Sequence, residues 1–459
     1  MEPIVNDALL NAGDSADMPS WGANSPPRTY EEDGSSPDRQ PQPLAGAYFW
    51  LVLFFLVYCG RPEDWVPGLS VVPLAKITGV LALLSFLLSI GTVRWRLPRE
   101  MVYLLLLVVQ LWIAVPLSPV WRGGAFEKML EFSKVLLIMF VMMAAVTTLT
   151  RLRRLIFVQA ACVAMIAVVT LAEGFNQPGR LQGAIRGIYS NSNDLALTLV
   201  LTLPFCLAFL LRTRGLLRKV VWALAGFVMI YVTMLTESRA GLLALIASGS
   251  LCLWDFGIKR KRALLVVLFG GVGLAILFLA GGSIRDRFTA MFEDQLSGDR
   301  RSARTSAEQR EDLLKKSLAV IAEHPLFGIG PGNFSSISGN WHDQHNSYTQ
   351  VGSEGGLPGL LLYLLILWRA FANLRETRGL ASLKSEEILF AAALRASLAG
   401  FLIGSFFASV AYDFFPYFLV GYSTALAAIV RMQKSHQIES PNPAPIRTYV
   451  ENTTTWTSP

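Results

Sequence analysis

The sequence predicts an all-α polytopic membrane protein with about twelve transmembrane helices and one large outer loop containing an amphipathic helix. Three observations lead there. Of the 459 residues, 53% are hydrophobic and 16% charged, whereas a soluble domain carries about 25% charged residues. From residue 44 onward, long apolar runs alternate with short polar stretches, and a helix needs about 20 such residues to cross a bilayer. The Lys and Arg residues also crowd into every second connection. The mean hydropathy of +0.45 excludes the two or three soluble domains that the length would allow. Collagen, coiled coil, disulfide scaffold and general disorder are excluded on the same ground.

Residues 1–43 carry eight acidic residues and two arginines among Pro, Ser, Asp and Gly. They cannot bury enough apolar surface to offset ordering, so they read as a disordered cytoplasmic tail. They lack the basic start and apolar core of a signal peptide. Twelve apolar runs follow: 44–59, 71–90, 101–117, 127–147, 154–172, 195–211, 219–235, 240–256, 263–280, 356–371, 389–410 and 414–430. The eighth is the weakest. Residues 44–280 thus hold helices 1–9, 281–355 the large loop, 356–430 helices 10–12, and 431–459 a cytoplasmic tail.

Orientation follows from basic residues, which short cytoplasmic loops retain. The connections after the even-numbered helices hold 18 Lys and Arg, from Arg94 to Lys384, against six in the others. Both termini are therefore expected in the cytoplasm, and the net charge of +7 is a topology signal, with no nucleic-acid partner implied. The large loop is too long to obey the charge rule. Within it, Leu313, Leu314, Leu318 and Ile321 recur at helical spacing between charged residues, predicting an amphipathic helix over Ser306–Glu323 that lies along the membrane. Pro325 stops it. The four cysteines (Cys59, Cys162, Cys206, Cys252) stand far apart and read as isolated core thiols. His342 and His345 lack a third ligand in pattern, so no metal is expected.

Polar residues on the outer side concentrate in three places: EGFNQPGRLQGAIRGIYSNSND (173–194), TESRAG (236–241) and NWHDQHNSYTQVGSEGG (340–356). Arginine presents a permanent, planar fork of donors that suits phosphate oxygens. Histidine takes a proton near neutral pH. The combination suits attack of a hydroxyl on a carbon that bears a phosphate leaving group. A phosphate that must reach the outer face points to a lipid-linked sugar pyrophosphate.

Four segments in order, GIYSNSNDLALTLVLTLPF (187–205), LTESRAGLLALI (235–246), EHPLFGIGPGNF (323–334) and HNSYTQVGSEGGLPGLLLYL (345–364), resemble the bacterial O-antigen ligase/O-antigen polymerase superfamily over roughly residues 150–370. The resemblance implies a metal-independent glycosyltransferase of the bacterial inner membrane that works at the periplasmic face. It implies an undecaprenyl-pyrophosphate-linked glycan as donor; a glycan, lipid or protein as acceptor; the lipid bilayer as surroundings; and no cofactor. It assigns Arg186 and Arg239 to the pyrophosphate and His345 to the acceptor hydroxyl as base. Arg180 competes with Arg186 for the first role, and Asn191-Ser192-Asn193 departs from the family pattern, which has Pro in the middle. Arg180, Asn193, Asn346, Tyr348 and Glu354 are the expected substrate-binding residues, with Asn193 equally suited to capping the sixth span. Glu354 either orients His345 or only precedes the Gly355-Gly356 break. Ligation to a lipid core, repeat-unit polymerisation and protein glycosylation differ only in acceptor. A rival of another class, a lipid-linked sugar flippase, would set its polar site near the bilayer midplane. Inside the spans, Glu131 and Lys134 are three apart and expected to neutralise each other. Arg395 has either a structural role or a lipid headgroup partner.

Overall fold

The computed structural model describes residues 44–439, except 67, 90, 92–96, 174–175, 178–179, 182, 184, 186, 260, 264, 268–269, 272–297, 340–342 and 381–385. The described chain is helical: α1 (Ala45–Gly60), α2 (Pro62–Trp65), α3 (Leu74–Leu88), α4 (Arg99–Leu117), α5 (Arg122–Ala145), α6 (Leu149–Glu173), α7 (Ser192–Arg212), α8 (Leu216–Leu235), α9 (Arg239–Cys252), α10 (Gly298–Glu323), α11 (Phe334–Ile337), α12 (Ser347–Leu380), α13 (Glu386–Gly404) and α14 (Phe414–Glu439). A two-residue ladder, β1 (Asn176–Gln177) with β2 (Arg180–Leu181), follows α6. Eight helices among the described residues are long and apolar enough to cross a membrane, and α1 and α3 are shorter apolar helices. Eleven of the twelve expected runs contain a helix; the ninth, 263–280, lies largely outside the described residues. The eighth run is continuous: α9 runs on through a π-helical turn, Leu253–Ile258, to 20 residues.

The core lies around α7, α13 and α14. Tyr417, Phe418 and Tyr422 of α14 are fully buried, and Phe55 of α1 stacks 4.2 Å from Phe418. In contrast α8 turns Leu216, Leu217, Val220, Val221, Leu224 and Phe227 outward. An apolar face of that extent needs lipid against it. All four cysteines are buried and free.

Two boundaries depart from the sequence reading and shape the site. The tenth run was expected to begin at 356, yet α12 begins at Ser347 and breaks at Gly356, where φ is 72°. Only glycine takes that conformation readily, and a Cβ there would lie 2.5 Å from the Leu326 carbonyl oxygen. Gln110 of α4 donates to the Leu326 and Gly355 carbonyls at 2.7 and 3.1 Å, satisfying groups that the kink releases. The eleventh run ends early, at Gly404, because 405–413 folds into turns that hold the start of α12. The Ser347 amide donates to the Ser405 carbonyl at 2.8 Å, and the Ser347 hydroxyl donates to the Ala408 carbonyl at 2.7 Å.

The amphipathic helix is present as α10 and ends at Glu323, ahead of Pro325. Its apolar face has a protein partner: Leu313 and Val320 pack on Ile329 and Phe334 of the following turn. Leu318 remains half exposed. The expected Glu131–Lys134 pair does not form among the described residues: both side chains are exposed on α5, and the charge of Glu131 acts on Asp413. Arg395 has a structural partner, since its Nη2 donates to Asp255 Oδ2 at 2.5 Å, and Arg378 holds the other oxygen at 2.6 Å.

Candidate functional site

At one end of the bundle, the three polar segments converge. The first reaches the end of α1: the buried Tyr189 hydroxyl donates to the Cys59 carbonyl at 2.7 Å. Asn191 is the N-cap of α7, its side chain accepting from the Asn193 amide at 2.9 Å. That arrangement releases Asn193 from the capping role that its position also suited. The Asn193 side-chain oxygen accepts instead from the Ser238 hydroxyl at 2.9 Å.

Ser238 belongs to the second segment and itself caps α9, accepting from the Gly241 amide at 3.1 Å. The capped helix begins with Arg239, so the guanidinium rises from a helix N-terminus, where anions are favoured. Glycine at 241 permits this approach: a Cβ there would lie 2.7 Å from Ala196 Cβ on α7.

The third segment enters with His345 in a left-handed conformation, φ 51°, uncommon for a residue with a Cβ. Asn346 caps α12, its Oδ1 accepting from the Tyr348 and Thr349 amides at 2.9 and 3.1 Å. Tyr348 anchors α12 to α13: its hydroxyl donates to the Leu402 carbonyl at 2.9 Å and accepts from Ser405 Oγ at 3.0 Å. Glu354 is buried and accepts from Gln344 Nε2 at 3.0 Å. Its other oxygen and the Tyr412 hydroxyl are both buried, and the two groups act on each other at close range.

Of the expected residues, then, Asn193, Arg239, His345, Asn346, Tyr348 and Glu354 lie on segments gathered at this end. Arg180 stands on β2, opposite Gln177, and Arg186 lies outside the described residues, as does His342. Among the described residues no cluster of His, Cys, Asp and Glu is arranged to hold a metal.

Residues that the sequence reading passed over join the site. Asp413 sits in the turn before α14. Burial pushes its carboxyl up to about 6, with Asp343 and Glu131 adding to the rise and Lys128 opposing it. The charges of Asp413 and Asp343 also act on Asp194, in the first turn of α7. Arg310 of α10 is half-buried, and burial together with the charge of Arg239 lowers its pKa from the usual arginine value. Asp413 had a legible signal, being a lone acid between two apolar runs. Arg310 had none, because five other arginines share its loop.

Residues 224–364 match the family model described as O-antigen ligase. That stretch holds the second, third and fourth of the resembling segments. An O-antigen polymerase of Salmonella muenchen is 22% identical over 207 residues, which cover 43% of this chain and 50% of that relative. The chain thus spans about half the length of the curated relative that it matches. Both findings support the O-antigen ligase/polymerase superfamily.

Proposed function

We propose that the protein is a bacterial inner-membrane glycosyltransferase of O-antigen ligase type. In this reading it moves a glycan from undecaprenyl pyrophosphate to an acceptor hydroxyl at the periplasmic face, in lipopolysaccharide or related polysaccharide biosynthesis. The reading draws on the ligase-type match over 224–364 and on the chemistry of the gathered side chains. The acceptor oxygen attacks the anomeric carbon as the bond from that carbon to the phosphate oxygen breaks. His345 takes the hydroxyl proton. Arg239, with Arg186, holds the charge that develops on the departing pyrophosphate, where preorganised donors act most strongly. The leaving group drives the transfer, so the step calls on no cofactor.

The observation that carries the reading is the hydrogen bond from Ser238 Oγ to Asn193 Oδ1, 2.9 Å. It joins two motifs 45 residues apart beside the first residue of α9, which is Arg239. A second reading within the superfamily, a repeat-unit polymerase, draws support from the name of the Salmonella relative; protein O-oligosaccharyl transfer is the other acceptor choice. Full-length protein in nanodiscs, given lipid-linked glycan and acceptor without an energy source, tests the proposal. Covalent joining is expected from wild type and is expected to vanish in Arg239→Ala and His345→Ala. Lipid translocation with no joining would instead identify a flippase.

A further inference from the structure

His345 lies in a stretch that doubles back on the helix it precedes. Gln344, three residues ahead of α12, reaches well into that helix. Its Nε2 donates to Ser353 Oγ at 3.1 Å and to Glu354 Oε1 at 3.0 Å. Glu354 stands seven residues past Ser347, about 10 Å along the axis, so the chain ahead of α12 runs back beside it. The reversal is made at His345, whose φ of 51° is left-handed. In a residue with a Cβ, that conformation persists only where the surroundings fix it.

Both neighbours of His345 are pinned. Asn346 caps α12 through the Tyr348 and Thr349 amides. Gln344, Ser353 and Glu354 are all buried, and both amide protons of Gln344 are committed. The acceptors are fixed in turn. The Ser353 hydroxyl donates to the Gln350 carbonyl at 3.3 Å. The Ser353 and Glu354 carbonyls accept from the Ile329 and Gly330 amides at 2.9 and 3.0 Å. Beside the buried Gln344, His345 stays partly accessible. The helix start does not need this clasp, since the Asn346 cap and the bonds from Ser347 to Ser405 and Ala408 already hold it. What the clasp holds is the residue between, His345.

We infer that Gln344 is the positioning residue of the base: locked onto Ser353 and Glu354, it keeps His345 left-handed and so sets where the imidazole meets the acceptor hydroxyl. The inference rests on the role of His345 proposed above. Glu354 then acts through Gln344, as the charged acceptor that strengthens the clasp.

The test uses full-length protein in nanodiscs, with undecaprenyl-pyrophosphate-linked glycan as donor and the acceptor that wild type joins to it. It reads kcat per folded molecule, both KM values and thermal unfolding. Gln344→Met fills the same space but cannot donate. It is expected to lower kcat about 10- to 100-fold, the cost of a small misplacement of a reacting group, with both KM values held within about twofold. Glu354→Gln keeps an accepting oxygen and Glu354→Ala does not, so the first is expected to retain roughly tenfold more turnover than the second. Gln344→Met combined with Glu354→Ala is expected to lose no more than the worse single change, because the two side chains act as one unit. Wild-type kcat in Gln344→Met, alongside loss in His345→Ala, overturns the inference alone. A lowered melting temperature with kcat per folded molecule unchanged makes Gln344 structural and overturns it too. So does a Glu354→Gln variant as inactive as Glu354→Ala, since the carboxylate itself would then be acting. If Gln344→Met does not fold, Ser353→Ala, which removes one of the two acceptors, decides in its place: lowered kcat at constant KM supports the clasp, and unchanged kcat overturns it. No joining by wild type, or full turnover in His345→Ala, removes the reading on which the inference rests.

Discussion

At the end of the bundle away from His345, the buried acids Asp255 and Glu100 and the part-exposed Glu386 each meet an arginine. Asp255 is held between Arg378 and Arg395, Glu100 accepts from Arg369 at 3.1 Å, and Glu386 bridges Arg153 and Arg212 at 3.2 and 2.7 Å. A cavity of about 1180 Å³ at this end is lined by the paired Glu100, Arg369, Glu376 and Arg431. At the His345 end three acids gather: Asp343 and Asp413 act on Asp194, and Asp343 acts on Asp413, with Lys128 opposing. Pairs of opposite charge satisfy themselves and fix helices. Acids gathered beside one another stay unfavourable in their charged form until a proton or a cation arrives, and perturbed groups of this kind concentrate at functional sites. The two ends differ in what lies beside their acids.

The comparison is broken most directly at Arg239. Arg239→Ala is expected to lower turnover by about 10²–10³-fold, the usual cost of removing one donor to developing negative charge, with the melting temperature nearly unchanged. If turnover falls only in proportion to folded protein, the two ends do not differ in kind. The opposite result is expected at the far end. Asp255→Asn leaves two arginines without their acid, and breaking a buried pair costs about 3–5 kcal/mol. Its melting temperature should drop while turnover per folded molecule holds. Replacing Arg378 and Arg395 with Met in the same chain should recover much of the loss, because an apolar substitute for the whole cluster removes the unmatched charges.

This contrast explains what the sequence disclosed. The alternation of basic connections picked out Arg153, Arg212, Arg369 and Arg378, each of which pairs with an acid. The motifs around Ser238 and His345 were legible because each is a local run. Arg395 was ambiguous because its partner, Asp255, is 140 residues away. Arg310 was passed over among the charged residues of its helix, since periodicity alone does not say which stripe of a weakly amphipathic helix turns inward. The break in α12 was legible only as a glycine pair. That Gly356 must take a positive φ follows from the close passage of Leu326, a contact between segments 30 residues apart.

A finer test concerns the link between motifs. Ser238→Ala and Asn193→Ala each remove one side of a 2.9 Å hydrogen bond, worth about 0.5–1.5 kcal/mol. If that bond seats Arg239, each variant should lose roughly three- to tenfold in turnover, and the double variant should lose no more than the worse single one. Full additivity would mean that the two side chains act separately, and the bond would then not be what aligns the α9 N-terminus.

The smallest expected effect sharpens the comparison by pH. Asp413 titrates at about 6 in the folded protein, above the roughly 3.9 of an unfolded aspartate. The folded state therefore favours the protonated form. This contribution to stability is complete below about pH 4 and is lost as the pH rises through about 6. The melting temperature of wild type should fall across that window by a margin that Asp413→Asn abolishes, leaving the variant the more stable protein at pH 7. A carboxylate kept charged at a cost to the fold is retained for its charge, so the same variant should lose turnover at pH 7 as it gains stability. An acid at the far end offers the control: Glu376, paired with Arg431 at 2.6 Å, should change neither the acid-side slope nor turnover in this way when replaced by Gln. If Asp413→Asn behaves like Glu376→Gln, the gathered acids at the His345 end are ordinary surface charge, and only the arginines there carry function.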